Sequence, residues 1–284
     1  MKKNLIALSL SIGGALLCAT GAQAQSSVQL MGLTDVFVGS MKNAGDAGSS
    51  KVVNSGGMTT SWFGFKGTED LGGGLRATFA PLILHMNVPL FNGTGWGSTT
   101  PSDTGWSNEI IYSTPNLGGL TANLHYQFGE VAGDSSKKNV GINALYFNGP
   151  ITLTGFYERD QMSNPAVPST YLGTTKTDWM LGGAYDFAVV KAFASYGQAK
   201  ADNTTNKAKT TQLGVSVPAG ATGKVLASWA QTKMTATDIS RKTFTVGYDY
   251  FLSKRTDVYV MAMNDRITNQ TKGNSFGVGI RHRF

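Results

Sequence analysis

Apolar and polar residues alternate with a period of two along most of this chain. In the segment 120–128 every second residue, from Leu120 to Phe128, is apolar, and the residues between them are polar. The same alternation recurs at 139–147 and 190–196, and no segment shows a convincing helical period. Because successive side chains of a strand point to opposite faces of a sheet, the pattern predicts an all-β protein whose sheet has two chemically different faces.

Counting such segments predicts fourteen strands, which are joined alternately by tight turns and by longer polar loops. The predicted strands are 27–39, 59–68, 74–87, 107–115, 120–130, 138–147, 151–159, 177–187, 190–200, 208–217, 222–233, 242–252, 255–265 and 274–284. The longer loops are predicted near 40–58, 88–106, 131–137, 160–176, 201–207, 234–241 and 266–273. Tight turns at one end and longer loops at the other are typical of a transmembrane antiparallel β-barrel.

The two faces differ as expected for a wall between lipid and water. One face carries aliphatic and aromatic residues, including Tyr126, Tyr146 and Tyr196, and the other carries mainly Thr, Ser, Asn, Gln, Lys and Gly. The alternative is a soluble β-sandwich, which would turn its apolar face into a dry core. In hydrocarbon every backbone polar group needs a partner, so we expect the sheet to close between the strand at Val28 and the strand at Phe276.

The first residues have the pattern of a secretory signal peptide. Lys2 and Lys3 precede an apolar stretch, and small residues at Ala22 and Ala24 provide a cleavage site. No other run approaches the roughly 18 apolar residues that a spanning helix needs, which excludes a helical membrane protein. The sequence therefore predicts a signal peptide at 1–24 and an outer-membrane barrel at 25–284, in the outer membrane of a Gram-negative bacterium.

Composition excludes several other classes of protein. The chain has 36 glycines, only 14% charged residues and one cysteine, and Cys18 leaves with the signal peptide. This composition does not suit a disordered, collagen-like or disulfide-stapled chain. Loss of Lys2 and Lys3 lowers the formal net charge from +7 to +5. Because this charge is spread over the loops and forms no basic stripe, we expect no nucleic-acid partner.

The histidines give no indication of an enzyme or a metal centre. The chain has three histidines, His85, His125 and His282, and they are scattered along it without a neighbouring cluster of ligands or nucleophiles. Catalysis by a serine–histidine pair or a zinc site would need such clustering. We therefore predict no catalytic residue, no metal site and no cofactor.

Several motifs carry a resemblance to a known family. They are GFKGTEDLGGGL at 64–75, YSTPNLGG at 112–119, GYDYFLSKRTD at 247–257 and GVGIRHRF at 277–284. In this order and spacing they resemble the Gram-negative general porins of the β-proteobacterial type. The resemblance implies a homotrimeric, water-filled channel for passive diffusion of small hydrophilic solutes and inorganic ions. It also implies sixteen strands and a long third loop that folds into the lumen.

This sequence is shorter than the family pattern. Between Phe79 and Ser107 the family has a further strand pair and the constriction loop, and here the segment is too short for both. Loss of one pair preserves the alternation of up and down strands, so the prediction stays at fourteen. For this chain the shortening leaves open both a constriction loop at 88–106 and the standard trimer contact.

We predict ten pore-lining residues on the inward rows of these strands. They are Asp35, Trp62, Lys66, Arg76, Leu82, Glu109, Ile111, His125, Glu158 and Lys191. Trp62 and Ile111 stand where the family usually has basic residues, and Leu82 stands where it usually has an acid. The inward charges either line the ion path or pair across the wall and stabilise it. With Lys66, Arg76 and Lys191 retained, the resemblance implies a weak preference for anions.

Two further expectations concern the alternative function and assembly. The apolar inward residues leave open a structural or surface-interaction barrel that conducts little or nothing. Phe276, Val278 and Ile280 alternate on one face up to the terminal Phe284. This ending resembles the C-terminal signature that the outer-membrane insertion machinery reads, so that machinery and outer-membrane lipid are the expected partners.

Overall fold

The computed structural model describes residues 27–72, 75–79, 82–85, 106, 109–128, 138–161, 175–202 and 205–284. The predicted signal peptide at 1–24 lies outside the described residues, as do most of the loop regions 88–106, 131–137 and 160–176. Within the described ranges all regular structure is β-strand, and no helix there is long and apolar enough to cross a membrane.

Within the described ranges, sixteen strand segments form one antiparallel sheet. In chain order they are β1 (Ser27–Met41), β2 (Ser50–Ser55), β3 (Trp62–Gly72), β4 (Leu75–Phe79), β5 (Leu82–His85), β6 (Glu109–Ser113), β7 (Leu120–Gln127), β8 (Asn139–Asn148), β9 (Ile151–Gln161), β10 (Thr175–Asp186), β11 (Lys191–Ala201), β12 (Lys207–Pro218), β13 (Gly223–Met234), β14 (Ser240–Phe251), β15 (Thr256–Ile267) and β16 (Gly273–Arg283).

The sixteen segments occupy fourteen positions across the sheet, as the sequence predicts. β2 and β3 pair with the same edge of β1, one after the other, and β4 and β5 do the same along β3. The order across the sheet is β4/β5, β2/β3, β1 and β16, and then each strand in turn back to β6. The first and last strands pair from Leu33 opposite Arg283 to Ser40 opposite Phe276, which confirms the expected contact of the chain ends.

One predicted loop was wrong in part. The region 40–58 contains β2, which pairs with residues 36–41 of β1. Its sequence SKVVNS places two apolar residues side by side, so it lacks the alternation on which the prediction relied. The neighbouring strand also begins later than predicted, at Trp62, because residues 56–61 leave the sheet between β2 and β3.

The tight turn at 116–119 shows why glycine is needed there. Gly118 and Gly119 have φ angles of 64° and 97°, a region that side chains with a Cβ rarely adopt. A Cβ at Gly119 would lie 2.2 Å from the carbonyl oxygen of Phe147. The Asn116 side chain stabilises the turn by accepting a hydrogen bond from the Gly119 N–H at 2.7 Å.

The distribution of polarity is the inverse of that in a water-soluble domain. Among the side chains that the structure describes, the largest fully buried ones are Phe37 and five aspartates. Large apolar residues lie on the outside, with Leu181 65% exposed and Ile110 61% exposed. Charges inside and apolar residues outside are what a barrel with a polar interior and a lipid-facing wall requires. The sheet is therefore the wall of a transmembrane β-barrel.

Candidate functional site: the inner wall of the barrel

The inner face of β9–β16 surrounds a cavity of about 950 Å³, which also reaches Gly57 and Met58. Strand register keeps the inner residues aligned around the wall. Lys191, for example, is paired with Ser216 on one side and with Asp186 on the other. Because directly opposed residues of antiparallel strands share a face, one inward side chain fixes the inward row on its neighbours.

The strand register places the predicted residues whose side chains the structure describes on the same face of the sheet as Asp35. Ile111 is paired with His125, and Glu158 is paired with Asp178. Lys66 is exposed and Trp62 is half-buried in β3. In register, Arg76 lies opposite Asp70 and Leu82 lies opposite Gly64, but the side chains of these two residues lie outside the described part of the structure.

Asp35 is on the inner face, yet it has no exposed surface and holds a folded-in segment against the wall. One carboxylate oxygen accepts a hydrogen bond from the Tyr259 hydroxyl at 2.5 Å. The other accepts the backbone N–H groups of Met58 and Thr59 at 2.8 and 2.7 Å. Of the two roles expected for inward charges, Asp35 therefore has the one that stabilises the wall.

Ser61 completes the attachment of this segment. Its hydroxyl accepts the Asp35 N–H at 2.9 Å and lies at the same distance from the Asp35 carbonyl oxygen, to which it donates. Residues 56–61, which we call the inner segment, thus bridge the gap between β2 and β3 on the lumen side of β1. Met58 also packs against a buried apolar cluster of Phe37, Met41, Tyr259 and Met263.

Glu109 and His125 form a pair on the inner wall at β6 and β7, the last two strands in the order across the sheet. The His125 Nδ1 lies 2.5 Å from the Glu109 carboxylate, and the Asn143 amide nitrogen lies 3.2 Å from Nε2. Trp106 packs edge-on against the His125 ring, with 6.2 Å between the ring centroids. The last residue of the region 88–106 therefore reaches the inner face of β7 and β8.

Three ion-pair groups on the inner wall were not predicted from the sequence. Lys176 lies 2.7 Å from Asp178 and 3.6 Å from Asp160, and all three are buried. Two of these residues, Asp160 and Lys176, fall in the predicted loop 160–176, because the predicted strands end at 159 and begin again at 177. Extending the period of two by one residue at each end would have placed them on the inner row.

The other two groups link β14, β15 and β16. Arg241 binds the Asp265 carboxylate with two nitrogens, at 2.8 and 2.9 Å. Arg281 donates to Asp257 at 2.9 Å and to Asp249 at 3.3 Å. It also donates to the Thr59 hydroxyl at 2.8 Å, which ties the inner segment to the last strand.

Lys191 and Lys224 lie on the inner face of β11 and β13 and form no ion pair among the described residues. The Lys191 ammonium lies 5.6 Å from the centroid of the Phe193 ring, and the Lys224 ammonium lies 5.1 Å from that of Phe251. Among the described residues neither has a carboxylate oxygen within 4 Å. Both line the cavity near the turn end of their strands.

The described residues contain no group of three His, Cys, Asp or Glu side chains that could hold a metal ion. Among the described residues the site is thus a polar wall that combines buried ion pairs with the lysines Lys191 and Lys224, which form none. An antiparallel wall that joins its first and last strands, with an apolar exterior and a charged, hollow interior, defines the class of membrane-spanning channel barrels.

Comparison with known proteins gives the family. The chain matches the Gram-negative porins over residues 8–80 and 83–270, and it belongs to that family. It is 32% identical to outer membrane porin protein 32 of Delftia acidovorans, over 91% of this chain and 88% of the relative. The protein is therefore an outer-membrane channel of the porin type, as the sequence motifs imply.

Solved structures agree with this assignment. An anion-selective porin from Comamonas acidovorans superposes with a TM-score of 0.72 at 26% identity, covering 92% of this chain and all of that one. The trimer form of OmpT from Vibrio cholerae superposes with a TM-score of 0.66 at 14% identity, covering 91% of this chain and 99% of that one. The second likeness concerns the fold alone.

Proposed function

We propose that the barrel is a passive channel for small hydrophilic solutes and inorganic ions, with a weak preference for anions. One observation carries this proposal: Lys191 and Lys224 face the cavity and stand over phenyl rings, with no carboxylate oxygen within 4 Å among the described residues. Their ammonium groups favour anions in the part of the cavity that they line. The anion selectivity named for the similar Comamonas porin supports the same sign. The proposal includes no catalytic step and no cofactor.

The preference is expected to be weak because the lumen is aqueous. Charges in water are screened over about 10 Å at 0.1 M salt, so a solute in a wide pore feels only the nearest lysines. Lys66 and Arg76 of the predicted pore-lining set would add to the positive field. The preference should therefore be strongest in dilute salt and should fade as the salt concentration rises.

Reversal potentials across a salt gradient in planar bilayers test this proposal. The unmodified protein should open as discrete channels and should show anion preference that decreases between about 0.03 and 1 M salt, as the Debye length shortens. Arg76→Glu should move the reversal potential toward cation preference, whereas Lys272→Glu in an exposed loop should leave it nearly unchanged. A protein that inserts but does not conduct would support the alternative of a structural barrel.

We propose that the last strand also directs assembly. Phe276, Val278 and Ile280 lie on the exposed outer row of β16, and Phe284 exchanges two backbone hydrogen bonds of 3.0 Å with Gly32 of the first strand. Deleting Phe284 should remove both the terminal aromatic side chain and this link at the seam. We expect several-fold less heat-modifiable, membrane-inserted protein, measured by gel shift of outer-membrane fractions. Insertion at the unmodified level would contradict an assembly role for this residue.

We further propose that three copies associate. Support comes from the trimer form in which the structurally similar OmpT occurs. Native mass spectrometry of detergent-solubilised protein should give three times the mass of the mature chain, and a monomeric mass would contradict the proposal.

A further inference from the structure

One stretch of the inner wall is apolar although it faces the lumen. Phe193 of β11 is 42% exposed on the inner face, and Leu226 of β13 is half-buried there. Phe193 follows Lys191 by two residues, and Leu226 shares a face with Lys191 through Ser216 of β12. The interior of a channel barrel is lined mainly by polar residues. Passive conduction of ions therefore gives no reason for these two apolar side chains.

A glycine without a structural reason lies beside Phe193. Gly214 is directly opposite Phe193 in the sheet, and its φ angle is not positive. A Cβ at Gly214 would lie 3.6 Å from the carbonyl oxygen of Ala227 and 3.7 Å from the Cβ of Phe193. These are ordinary contact distances, so the fold would accept a side chain at this position.

Glycine inside a strand weakens it, and it often marks a place where another backbone or a ligand approaches closely. Gly247 on β14 is explained by the backbone, because a Cβ there would lie 2.8 Å from the carbonyl oxygen of Val260. At Gly214 no other described backbone atom comes that close. The missing side chain at Gly214 instead leaves room for a ligand beside the Phe193 ring.

The apolar residues and the glycines together form a depression in the inner wall, which we call the wall hollow. It is lined by Phe193, Gly214, Ser216, Leu226, Ser228 and Gly247. Phe193 and Leu226 flank the hollow, the two glycines form its floor, and the serines supply hydroxyl groups. Ligand sites are typically apolar depressions with a few polar groups that orient the ligand. The wall hollow has this composition.

Two cations border the wall hollow on the side of the tight turns. The Lys191 ammonium lies 5.6 Å from the centroid of the Phe193 ring. Lys224 precedes Leu226 by two residues on the inner row of β13, and its ammonium lies 5.1 Å from the centroid of the Phe251 ring. Neither ammonium has a carboxylate oxygen within 4 Å in the part of the chain that the structure describes. Both can therefore bind the anionic group of a solute.

We propose that the wall hollow binds aromatic carboxylates as a solute site of the channel. The aromatic ring of the solute lies over Gly214 and packs against Phe193, since aromatic rings favour offset or edge-on contacts. The carboxylate points toward the Lys191 ammonium and forms a charge-assisted hydrogen bond. An inorganic anion would meet only the lysines, and a neutral aromatic molecule would meet only the apolar part.

This inference rests on the proposed function, because a solute reaches the wall hollow only through an open lumen. A site inside a channel must also release what it binds. The affinity for a small aromatic acid should therefore be low, with a Kd on the order of 1 mM.

The test titrates the full-length mature barrel in detergent with three probes of similar size. Sodium benzoate has both the ring and the charge, cyclohexanecarboxylate has the charge without an aromatic ring, and benzamide has the ring without the charge. Binding is followed by saturation-transfer difference NMR of the ligand protons, and protein-free micelles give the background from partitioning into detergent.

Three variants locate the binding site. Gly214→Leu fills the wall hollow without changing its charge. Thr154→Leu places the same side chain on the inner face of β9, in the same cavity but outside the wall hollow, and serves as the matched control. Phe193→Leu keeps an apolar side chain but removes the ring, and it carries the test if Gly214→Leu does not fold. The gel shift on heating shows which variants are folded.

We expect benzoate to bind the unmodified barrel at least about threefold more tightly than either of the other probes. Gly214→Leu should weaken benzoate binding at least about tenfold, because the ring loses its place. Phe193→Leu should weaken it about 2- to 12-fold, which corresponds to the loss of one aromatic pair. Thr154→Leu should stay within about twofold of the unmodified barrel.

Three results would overturn the proposed site. Equal affinity for cyclohexanecarboxylate would show that the aromatic ring is not recognised, and equal affinity for benzamide would show that the charge is not. Unchanged benzoate binding in folded Gly214→Leu or Phe193→Leu would place the binding elsewhere.

Reversal potentials in potassium chloride separate this inference from the proposed function. A barrel that conducts and prefers chloride, but does not favour benzoate over the other probes, would overturn the wall hollow as a site and leave the channel intact. A barrel that does not conduct would overturn the proposed function itself.

Discussion

Replacing Asp35 with alanine is expected to destabilise the barrel by about 3–5 kcal/mol, the range for removing one partner from a buried charged network. The variant leaves the Tyr259 hydroxyl and the N–H groups of Met58 and Thr59 without their common acceptor. The inner segment then loses its attachment to β1. Unfolding in urea, followed by tryptophan fluorescence of the barrel in detergent micelles, measures the loss.

Tyr259→Phe is the matched control for this prediction. It removes one of the three hydrogen bonds to the Asp35 carboxylate and keeps the ring that packs in the apolar cluster with Phe37. We expect a smaller loss of about 1.5–3 kcal/mol, as for one hydrogen bond to a charged group. If Asp35→Ala were as stable as the unmodified protein, the inner segment would not depend on this carboxylate.

Reversing the charge of the two unpaired lysines is expected to reverse the selectivity of the channel. The double variant Lys191→Glu/Lys224→Glu places two carboxylates where two ammonium groups line the cavity. Because these two ammonium groups line the cavity without an ion pair, the sign of the field there should change with them. The reversal potential across a tenfold gradient of dilute potassium chloride should then change sign from anion to cation preference.

A second double variant changes the same formal charge away from the lumen. Lys254→Glu/Lys272→Glu alters one exposed turn and one exposed loop, and it should shift the reversal potential by much less than the lumen variant. Equal shifts from both variants would mean that the overall charge of the protein, screened only partly at low salt, governs selectivity. If the lumen variant caused no shift in the reversal potential, Lys191 and Lys224 would not lie on the ion path.

The period of two predicted which face a residue occupies far better than it predicted what that residue contacts. The outer row of Phe276, Val278 and Ile280 follows directly from alternation, since lipid exposure demands apolar residues there and nothing else. Asp35 illustrates the limit. Its partner Tyr259 lies 224 residues away along the chain, and pairing over that distance depends on the closure of the first strand onto the last.

The parts of the inner wall that were missed have a common physical cause. Lys176 and Asp160 lie at strand ends, where a polar inner residue and a polar loop residue look alike in sequence. The period of two places Arg241 and Arg281 on the inner rows of β14 and β16. Their charges are neutralised by ion pairs, and the sequence does not show which residues form these pairs. The residues left free to act on a solute are defined only once such pairs are known.

The buried aspartates have a consequence for the unfolded chain before it is inserted into the membrane. A domain that folds in water is held together by an apolar interior, whereas the interior of this barrel is carboxylate, guanidinium and ammonium. The apolar surroundings that stabilise the barrel are therefore the lipid chains outside it. These surroundings are absent from the aqueous compartments through which a secreted chain passes. In water the same sequence exposes long apolar rows with unpaired strand edges, the state most prone to aggregation. Because its charged side chains lie inside and its apolar side chains outside, the chain needs a chaperone that prevents aggregation in water. It also needs to be delivered directly into lipid.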